Sequence, residues 1–79
     1  MIYLRIKPVF QNRHHEVTGA LCRTAMVPVI DTNDRSICEV PVTRDSEANF
    51  FARAREKFFL IGPGNTSFDD VFEVAEKPP

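Results

Sequence analysis

The sequence has few of the residues that mark enzyme and cofactor motifs. Its 79 residues include no tryptophan, one tyrosine, three glycines and two cysteines. No glycine-rich loop joins a predicted strand to a predicted helix, which excludes the common phosphate-binding motifs. In addition, no serine or cysteine has a candidate general base at the spacing of a known catalytic motif. We therefore expect a protein that is not an enzyme and that uses no cofactor and no metal.

The chain also lacks a charge excess and a long apolar run. Ten lysines and arginines against eleven aspartates and glutamates leave a net charge of −1, which argues against a surface for duplex nucleic acid. No segment approaches the roughly 18 apolar residues of a membrane span. The opening residues MIYLRIKPVF lack the pattern of a signal peptide. We expect one domain over residues 1–79, with a frayed tail at 76–79, in the cytoplasm of a bacterial host.

One stretch has the pattern of a long amphipathic helix, from Asp45 to Gly62. At the helical period, four apolar side chains fall within one arc of about 100°, namely Phe50, Phe51, Ala54 and Phe58. Asp45 or Ser46 can cap the start of this helix, and Gly62 can close its end in the left-handed conformation. Residues 59–61 are more apolar than the stripe requires, so the last turn is either buried on several sides or ends early.

Residues 2–10 have the clearest strand pattern. Ile2, Leu4 and Ile6 alternate with polar side chains, which is the two-residue period of a half-buried strand. We expect this even-numbered face to lie under the helix. Pro8 is expected to mark a sheet edge or a bulge, because proline cannot donate to the ladder of a central strand.

A hairpin is predicted between the first strand and the helix. Residues 16–30 are β-prone, carry apolar residues on both faces and are interrupted by Gly19 and Pro28, which favours a bent strand over a helix. The polar run DTND after them is a turn signal, and residues 36–43 return as a strand. With the hairpin centred near Asn33, facing positions sum to about 66.

The last predicted strand spans residues 68–75, after a turn at 62–65. Phe68, Phe72 and Val74 have the same parity and are expected on one side of it. The predicted fold is therefore α+β, with a three- to four-stranded, mainly antiparallel sheet and one amphipathic helix packed on one face. The predicted order of elements is β-β-β-α-β.

The two cysteines and two histidines do not have the spacing of a metal site. His14 and His15 with Cys22 and Cys38 give the pattern HHx6Cx15C, which matches no common zinc site. We expect the histidines to be exposed in a polar loop. In the predicted hairpin the cysteines lie about six residues apart along the sheet, which is too far for a disulfide, so two buried free thiols are expected.

Charge is distributed unevenly along the chain. Residues 1–30 carry a balance of +3 and residues 65–79 a balance of −3. If the first and last strands are neighbours, this asymmetry is structural. If they are not, it makes an acidic patch that can meet a basic partner. The candidate partner-binding residues of such a patch are Asp69, Asp70, Glu73 and Glu76, followed by Glu39 and Asp34.

Two other functions remain open. Binding of single-stranded nucleic acid needs aromatic and basic side chains together on a sheet face, and the candidates for such a face are Tyr3, Arg5, Lys7 and Arg23. The same residues also suit an ordinary solvated strand, on which basic side chains discourage edge pairing. The third alternative is a structural subunit that folds as a homodimer.

About half of the chain, residues 37–75, resembles the small podovirus inhibitors of bacterial RNA polymerase. The matching segments are Glu39-Val40-Pro41-Val42, the helix from Ser46 to Phe59, the turn from Gly62 to Gly64, and Phe72-Glu73-Val74. Where that family has arginines after the last segment, this chain has Ala75, Glu76, Lys77 and Pro78. The resemblance implies a non-enzymatic phage protein that inhibits a host nucleic-acid-processing complex by covering its surface. The chain resembles small phage proteins that block host defence complexes, including CRISPR surveillance complexes, equally well. RNA polymerase and a CRISPR-type defence complex are therefore the implied targets.

Overall fold

A computed structural model describes residues 1–61 and 66–77. In chain order the elements are β1 (Ile2–Ile6), a 3₁₀ helix (Pro8–Arg13), α1 (His14–Ala25), β2 (Ile30–Asp31), β3 (Ile37–Val40), α2 (Arg44–Lys57), β4 (Phe59–Leu60), β5 (Thr66–Ser67), α3 (Phe68–Val71) and β6 (Phe72–Ala75). Strands β2, β3, β1 and β6 form one antiparallel sheet in that spatial order, and β4 pairs with β5 separately. The predicted α+β class is confirmed.

The core lies between one face of the four-stranded sheet and the helices α1 and α2. Side chains from both helices and from β1, β3, β4, α3 and β6 form one buried cluster. Leu4, Leu21 and Val71 are fully covered within it. None of the helices in the described residues is long and apolar enough to cross a membrane. Because a single cluster joins the layers, each large apolar side chain in it stabilises several elements at once.

Strand β1 confirms the predicted alternation. The even-numbered side chains from Ile2 to Ile6 are buried beneath the helices, whereas Tyr3 and Arg5 face the other side of the sheet. The strand lies between β3 and β6, so the prediction that Pro8 marks a sheet edge or a bulge is wrong. Pro8 instead opens the 3₁₀ helix, where a missing N–H costs no hydrogen bond.

Residues 14–25 form helix α1, so the strand predicted over residues 16–30 is wrong, and with it the order β-β-β-α-β. The buried side chains of α1 recur at the spacing of one helix face, and they include Val17, Ala20, Leu21 and Ala25. Packing of this stripe outweighs the β-propensity of the segment and the cost of Gly19, because intrinsic propensities are weak beside tertiary contacts. The helix ends at Met26, whose left-handed conformation (φ 62°) redirects the chain.

Helix α2 confirms the amphipathic helix, with Phe50 and Ala54 buried. Its cap position is Thr43 rather than the predicted Asp45 or Ser46. The Thr43 hydroxyl donates a hydrogen bond to the Ser46 hydroxyl over 3.1 Å. The helix therefore starts slightly earlier than its sequence pattern indicates.

The end of α2 also differs from the prediction. The helix stops at Lys57, well before Gly62, which confirms the alternative in which it ends early. Phe58 and Leu60 are buried while Phe59 is 52% exposed, and this alternation is that of a strand. The predicted turn that begins at Gly62 lies outside the described residues, as does the end of the predicted frayed tail.

Strands β2 and β3 form the predicted antiparallel hairpin in another register. Ile30 faces Glu39 and Asp31 faces Cys38, so facing positions sum to 69 instead of about 66. The hairpin is centred between Asp34 and Arg35 rather than near Asn33, and α1 with its cap takes up residues that the prediction assigned to the first strand of the hairpin. The pairing is consequently confined to two residues of β2.

The segment predicted as the last strand is the one-turn helix α3 followed by β6. Phe68 and Phe72 are 1% and 2% exposed, because a spacing of four residues across a helical turn puts both on one face. Val74 was predicted on the same side as these two residues, and it is 62% exposed. It lies in an edge strand, where the helices do not cover it.

We predict that Gly19→Ala stabilises the protein. An added Cβ would come within 3.4 Å of one atom only, in the flexible Arg23 guanidinium. Because alanine loses less backbone entropy than glycine in a helix, the free energy of unfolding should rise by about 0.5–1 kcal/mol. Chemical denaturation measures the change, and Ala52→Gly in α2 should lower stability by a similar amount. A destabilising Gly19→Ala would contradict the packing of α1.

Candidate functional site

The six acidic candidates do not form one patch. Their positions are Asp34 in the turn after β2, Glu39 in β3, Asp69 and Asp70 in α3, Glu73 in β6 and Glu76 just beyond it. The sheet order separates β3 from β6 by β1. The four acidic residues near the end of the chain therefore belong to α3, β6 and the residue after it, whereas Glu39 lies across β1 from them and Asp34 lies in a turn.

Three basic side chains contact residues between Asp69 and Glu73. Arg5 Nε lies 3.6 Å from Glu73 Oε1, and Arg55 Nε lies 3.4 Å from Asp69 Oδ1. The Lys7 ammonium donates a hydrogen bond to the Asp69 carbonyl over 2.7 Å. The first and last strands are thus neighbours, so the uneven charge distribution is structural in part, through Glu73 and Asp69. These pairs are exposed, and exposed pairs contribute little stability.

Two of the acidic candidates, Asp70 and Asp34, accept hydrogen bonds that stabilise the local backbone. The Ser67 N–H and hydroxyl donate to the Asp70 carboxylate over 3.1 and 3.0 Å, which closes a capping box at the start of α3. These bonds lower the pKa of Asp70. The Ser36 hydroxyl and N–H donate to the Asp34 carboxylate over 2.6 and 2.8 Å and lower the pKa of Asp34 in the same way.

We predict a loss of stability in acid that depends on Asp70. A carboxylate whose folded pKa is lowered contributes its stability above its unfolded pKa, about 3.9, and loses it as pH falls through the folded value. Asp70→Asn should therefore reduce the fall in unfolding free energy below about pH 4. Thermal unfolding at a series of pH values measures this. Glu56→Gln, in the exposed face of α2, is the control that should keep the wild-type acid dependence.

The four residues proposed for nucleic acid do not share a surface. Tyr3 and Arg5 lie on the sheet face that the helices leave uncovered. Desolvation, followed by the charge of Glu39, raises the pKa of Tyr3. Arg23 belongs to α1, on the other side of the sheet, so the prediction that it joins the residues on the outer face of the first strand is wrong. The uncovered face combines basic and acidic side chains and has no basic excess.

Strand β6 is an edge of the four-stranded sheet. Its pairing with β1 shows which of its backbone N–H and C=O groups point toward β1 and which point outward. The Lys7 N–H donates to the Val71 carbonyl over 2.9 Å, which extends the β1–β6 register by one pair. Antiparallel pairs alternate between bonded and non-bonded, so the backbone groups of Glu73 and Ala75 also point toward β1. Those of Val74 point away from it.

The outer edge of β6 therefore presents the N–H and C=O of Val74, and within the described residues no strand pairs with them. The N–H of Phe72, on the same side, already donates to the Phe68 carbonyl at the end of α3. The alternation places the backbone of Glu76 outward as well. Unpaired groups of this kind are a template for another strand.

An apolar cleft opens beside this edge. It has a volume of about 430 Å³, and its lining includes Met1, Tyr3, Glu47, Phe51, Val74 and Lys77. The side chains of Met1 and Val74 are largely exposed, at 54% and 62%. The cleft could not be predicted from sequence because its lining joins residues that are far apart in the chain, such as Met1, Glu47 and Val74. An apolar residue between the charged Glu73 and Glu76 was the available signal.

The cysteines and histidines are arranged differently from the prediction. Cys22 lies half-buried in α1 and Cys38 is buried in β3, both as free thiols. Burial raises the pKa of Cys38 to about 12. His14 and His15 open α1 instead of lying in a polar loop. His15 Nδ1 lies 2.9 Å from an oxygen of Asp31 in β2, so His15 contacts a carboxylate from the sheet.

Comparison with known proteins offers no relative from which a function could be transferred. No protein-family model matches the chain, and no curated protein or solved structure matches it either.

Proposed function

We propose that this chain is a non-enzymatic protein-binding module that accepts an extended segment of its partner along the outer edge of β6. In this mode of recognition, main-chain hydrogen bonds supply affinity, and pockets for alternate side chains supply specificity. The observation that carries the proposal is the outward backbone of Val74 beside the apolar cleft. Both requirements of strand addition therefore occur at one place on the surface.

The charges around this edge indicate a basic segment. Glu73 and Glu76 flank Val74 in the chain, and Glu47 lines the cleft together with Lys77. Glu73 and Glu47 have exposed partners, Arg5 at 3.6 Å and the amino terminus at 3.5 Å, and such pairs are weak enough for a basic ligand to replace them. An added strand places every second side chain toward the cleft and the others toward the opposite face. The matching ligand is an extended peptide with one apolar side chain for the cleft and basic side chains near these carboxylates.

A nucleic-acid-processing complex of a bacterial host is the partner class that we propose. Such complexes bind phosphate backbones through basic surfaces, and a module with an acidic edge can cover them. The resemblance of residues 37–75 to podovirus inhibitors of RNA polymerase supports the same class. The chain then acts in the host cytoplasm by occupying a site on RNA polymerase or on a CRISPR-type defence complex.

Affinity capture from a bacterial lysate, followed by amide hydrogen exchange on the purified complex, tests this proposal. Strand addition should slow exchange at Val74, whose N–H gains an acceptor, while Ala75, already bonded toward β1, should change little. A complex in which the Val74 amide exchanges as fast as in the free protein contradicts docking at β6.

A gel-shift assay separates this function from nucleic-acid binding. We expect no shift of single-stranded DNA or RNA, because Arg5 is paired with Glu73, Lys7 donates to the Asp69 backbone carbonyl and Arg23 lies on the other side of the sheet. A shift at low salt that weakens steeply as salt rises indicates phosphate contacts. That result contradicts the protein-binding proposal.

A further inference from the structure

Two neighbouring histidines and one aspartate come together where α1 begins beside the edge strand β2. His14 and His15 are the first residues of the helix, and Asp31 is the last residue of the strand. One ligand atom from each of the three side chains lies within 4.8 Å of the other two. His15 Nδ1 and Asp31 Oδ2 are 2.9 Å apart, and the two imidazole centroids are 3.9 Å apart.

These separations suit a transition-metal ion. An ion about 2.1 Å from both His15 Nδ1 and Asp31 Oδ2, which are 2.9 Å apart, subtends an angle of about 90° between them. Two donors bound to one such ion in tetrahedral geometry lie about 3.4 Å apart, so the widest pair in the cluster closes by up to about 1.4 Å. His15 is 80% exposed, so a small side-chain rotation can achieve this.

The donor set defines the class of ion. Two imidazoles with one carboxylate suit zinc, copper, nickel and non-haem iron, whereas magnesium and calcium prefer oxygen ligands alone. The Asp31 carboxylate offsets the positive end of α1. The nearby guanidinium of Arg13 is already occupied, since it donates to Glu16 over 2.9 and 2.6 Å. The positive charge of Arg13 is therefore offset by Glu16 and opposes the binding of a cation only weakly.

We propose that His14, His15 and Asp31 bind a divalent transition-metal ion of the zinc class, which clamps the start of α1 to β2. Three protein ligands leave at least one coordination position for water or for a ligand from a partner. The clamp secures a two-residue strand at the sheet edge opposite β6. Sequence spacing concealed this set because Asp31 joins the histidines only in the folded chain.

Isothermal titration of Zn²⁺ into the tag-free protein tests the site. We expect saturable binding of one ion, and a rise in Tm that a chelator reverses. His14→Gln, His15→Gln and Asp31→Asn should each weaken binding at least about tenfold, the loss typical even of groups that only support a ligand. Asp45→Asn is the charge-matched control, and circular dichroism confirms that each variant is folded.

Cobalt spectroscopy identifies the ligands independently. Co²⁺ at this site should give weak d–d absorption without the intense charge-transfer band of a thiolate, and Cys22→Ser should leave binding unchanged. The proposal is overturned by the absence of saturable binding at micromolar Zn²⁺. A thiolate band, or binding that survives substitution of all three residues in a folded protein, overturns it as well.

Discussion

Replacing Phe68 by alanine should lower the free energy of unfolding by about 3–5 kcal/mol. The side chain is 1% exposed. Four aromatic rings surround it at centroid distances of 5.2 to 6.4 Å, those of Phe50, Phe51, Phe58 and Phe72. Truncation removes buried area and leaves a cavity among rings from α2 and β6 that cannot all move inward. Because small domains have stabilities near the lower end of about 5–15 kcal/mol, much of the variant should be unfolded at room temperature.

Two further variants distinguish a cavity from a general loss of aromatic residues. Phe59→Ala removes a ring that is 52% exposed, and it should cost about 1 kcal/mol or less. Phe68→Leu fills part of the cavity and should be less costly than Phe68→Ala. Urea denaturation followed by circular dichroism measures all three. Equal losses for Phe59→Ala and Phe68→Ala are incompatible with a core centred on Phe68.

Replacing Val74 by proline should weaken partner binding at least about tenfold, which corresponds to about 1.4 kcal/mol. Proline removes the outward N–H and places its ring where an added strand must approach. The fold should survive, because the N–H of Val74 does not take part in the ladder to β1. Binding of the captured partner, measured by calorimetry or surface plasmon resonance, tests this result.

Matched variants separate the backbone from the side chain at this edge. Val74→Ala keeps the N–H and loses only contact in the cleft, so it should weaken binding less than Val74→Pro. Ala75→Pro removes an N–H that points toward β1 and should destabilise the fold itself. Wild-type affinity in folded Val74→Pro excludes strand addition at β6. Light scattering on the free protein, before and after the substitution, shows whether a second copy occupies the same edge.

Elements with a local and regular pattern were predicted correctly. The alternation from Ile2 to Ile6 and the apolar stripe containing Phe50 and Ala54 both reappear in the structure. In each case the side-chain period alone defines which face is buried, because the backbone geometry of a strand or helix repeats along the segment. The α+β class followed from these two elements.

Helix α1 shows where this reasoning fails. Its buried residues have helical spacing, but Gly19 and several β-branched residues within the same segment favoured a strand. Such propensities differ by about 1 kcal/mol or less per residue. Burial of Val17 and Leu21 against the sheet contributes more, and it exists only when the sheet has formed.

The features of the candidate sites likewise fall into two groups, those determined by local sequence and those determined by tertiary contacts. The sequence by itself determined strand β1, the amphipathic helix α2 and the uneven distribution of charge, because these properties belong to neighbouring residues. Tertiary structure alone decided that β1 lies beside β6, that Val74 faces outward and that Asp31 meets His15. The physical reason is that strand order and helix placement join residues far apart in the chain, and a local period carries no information about which of them become neighbours.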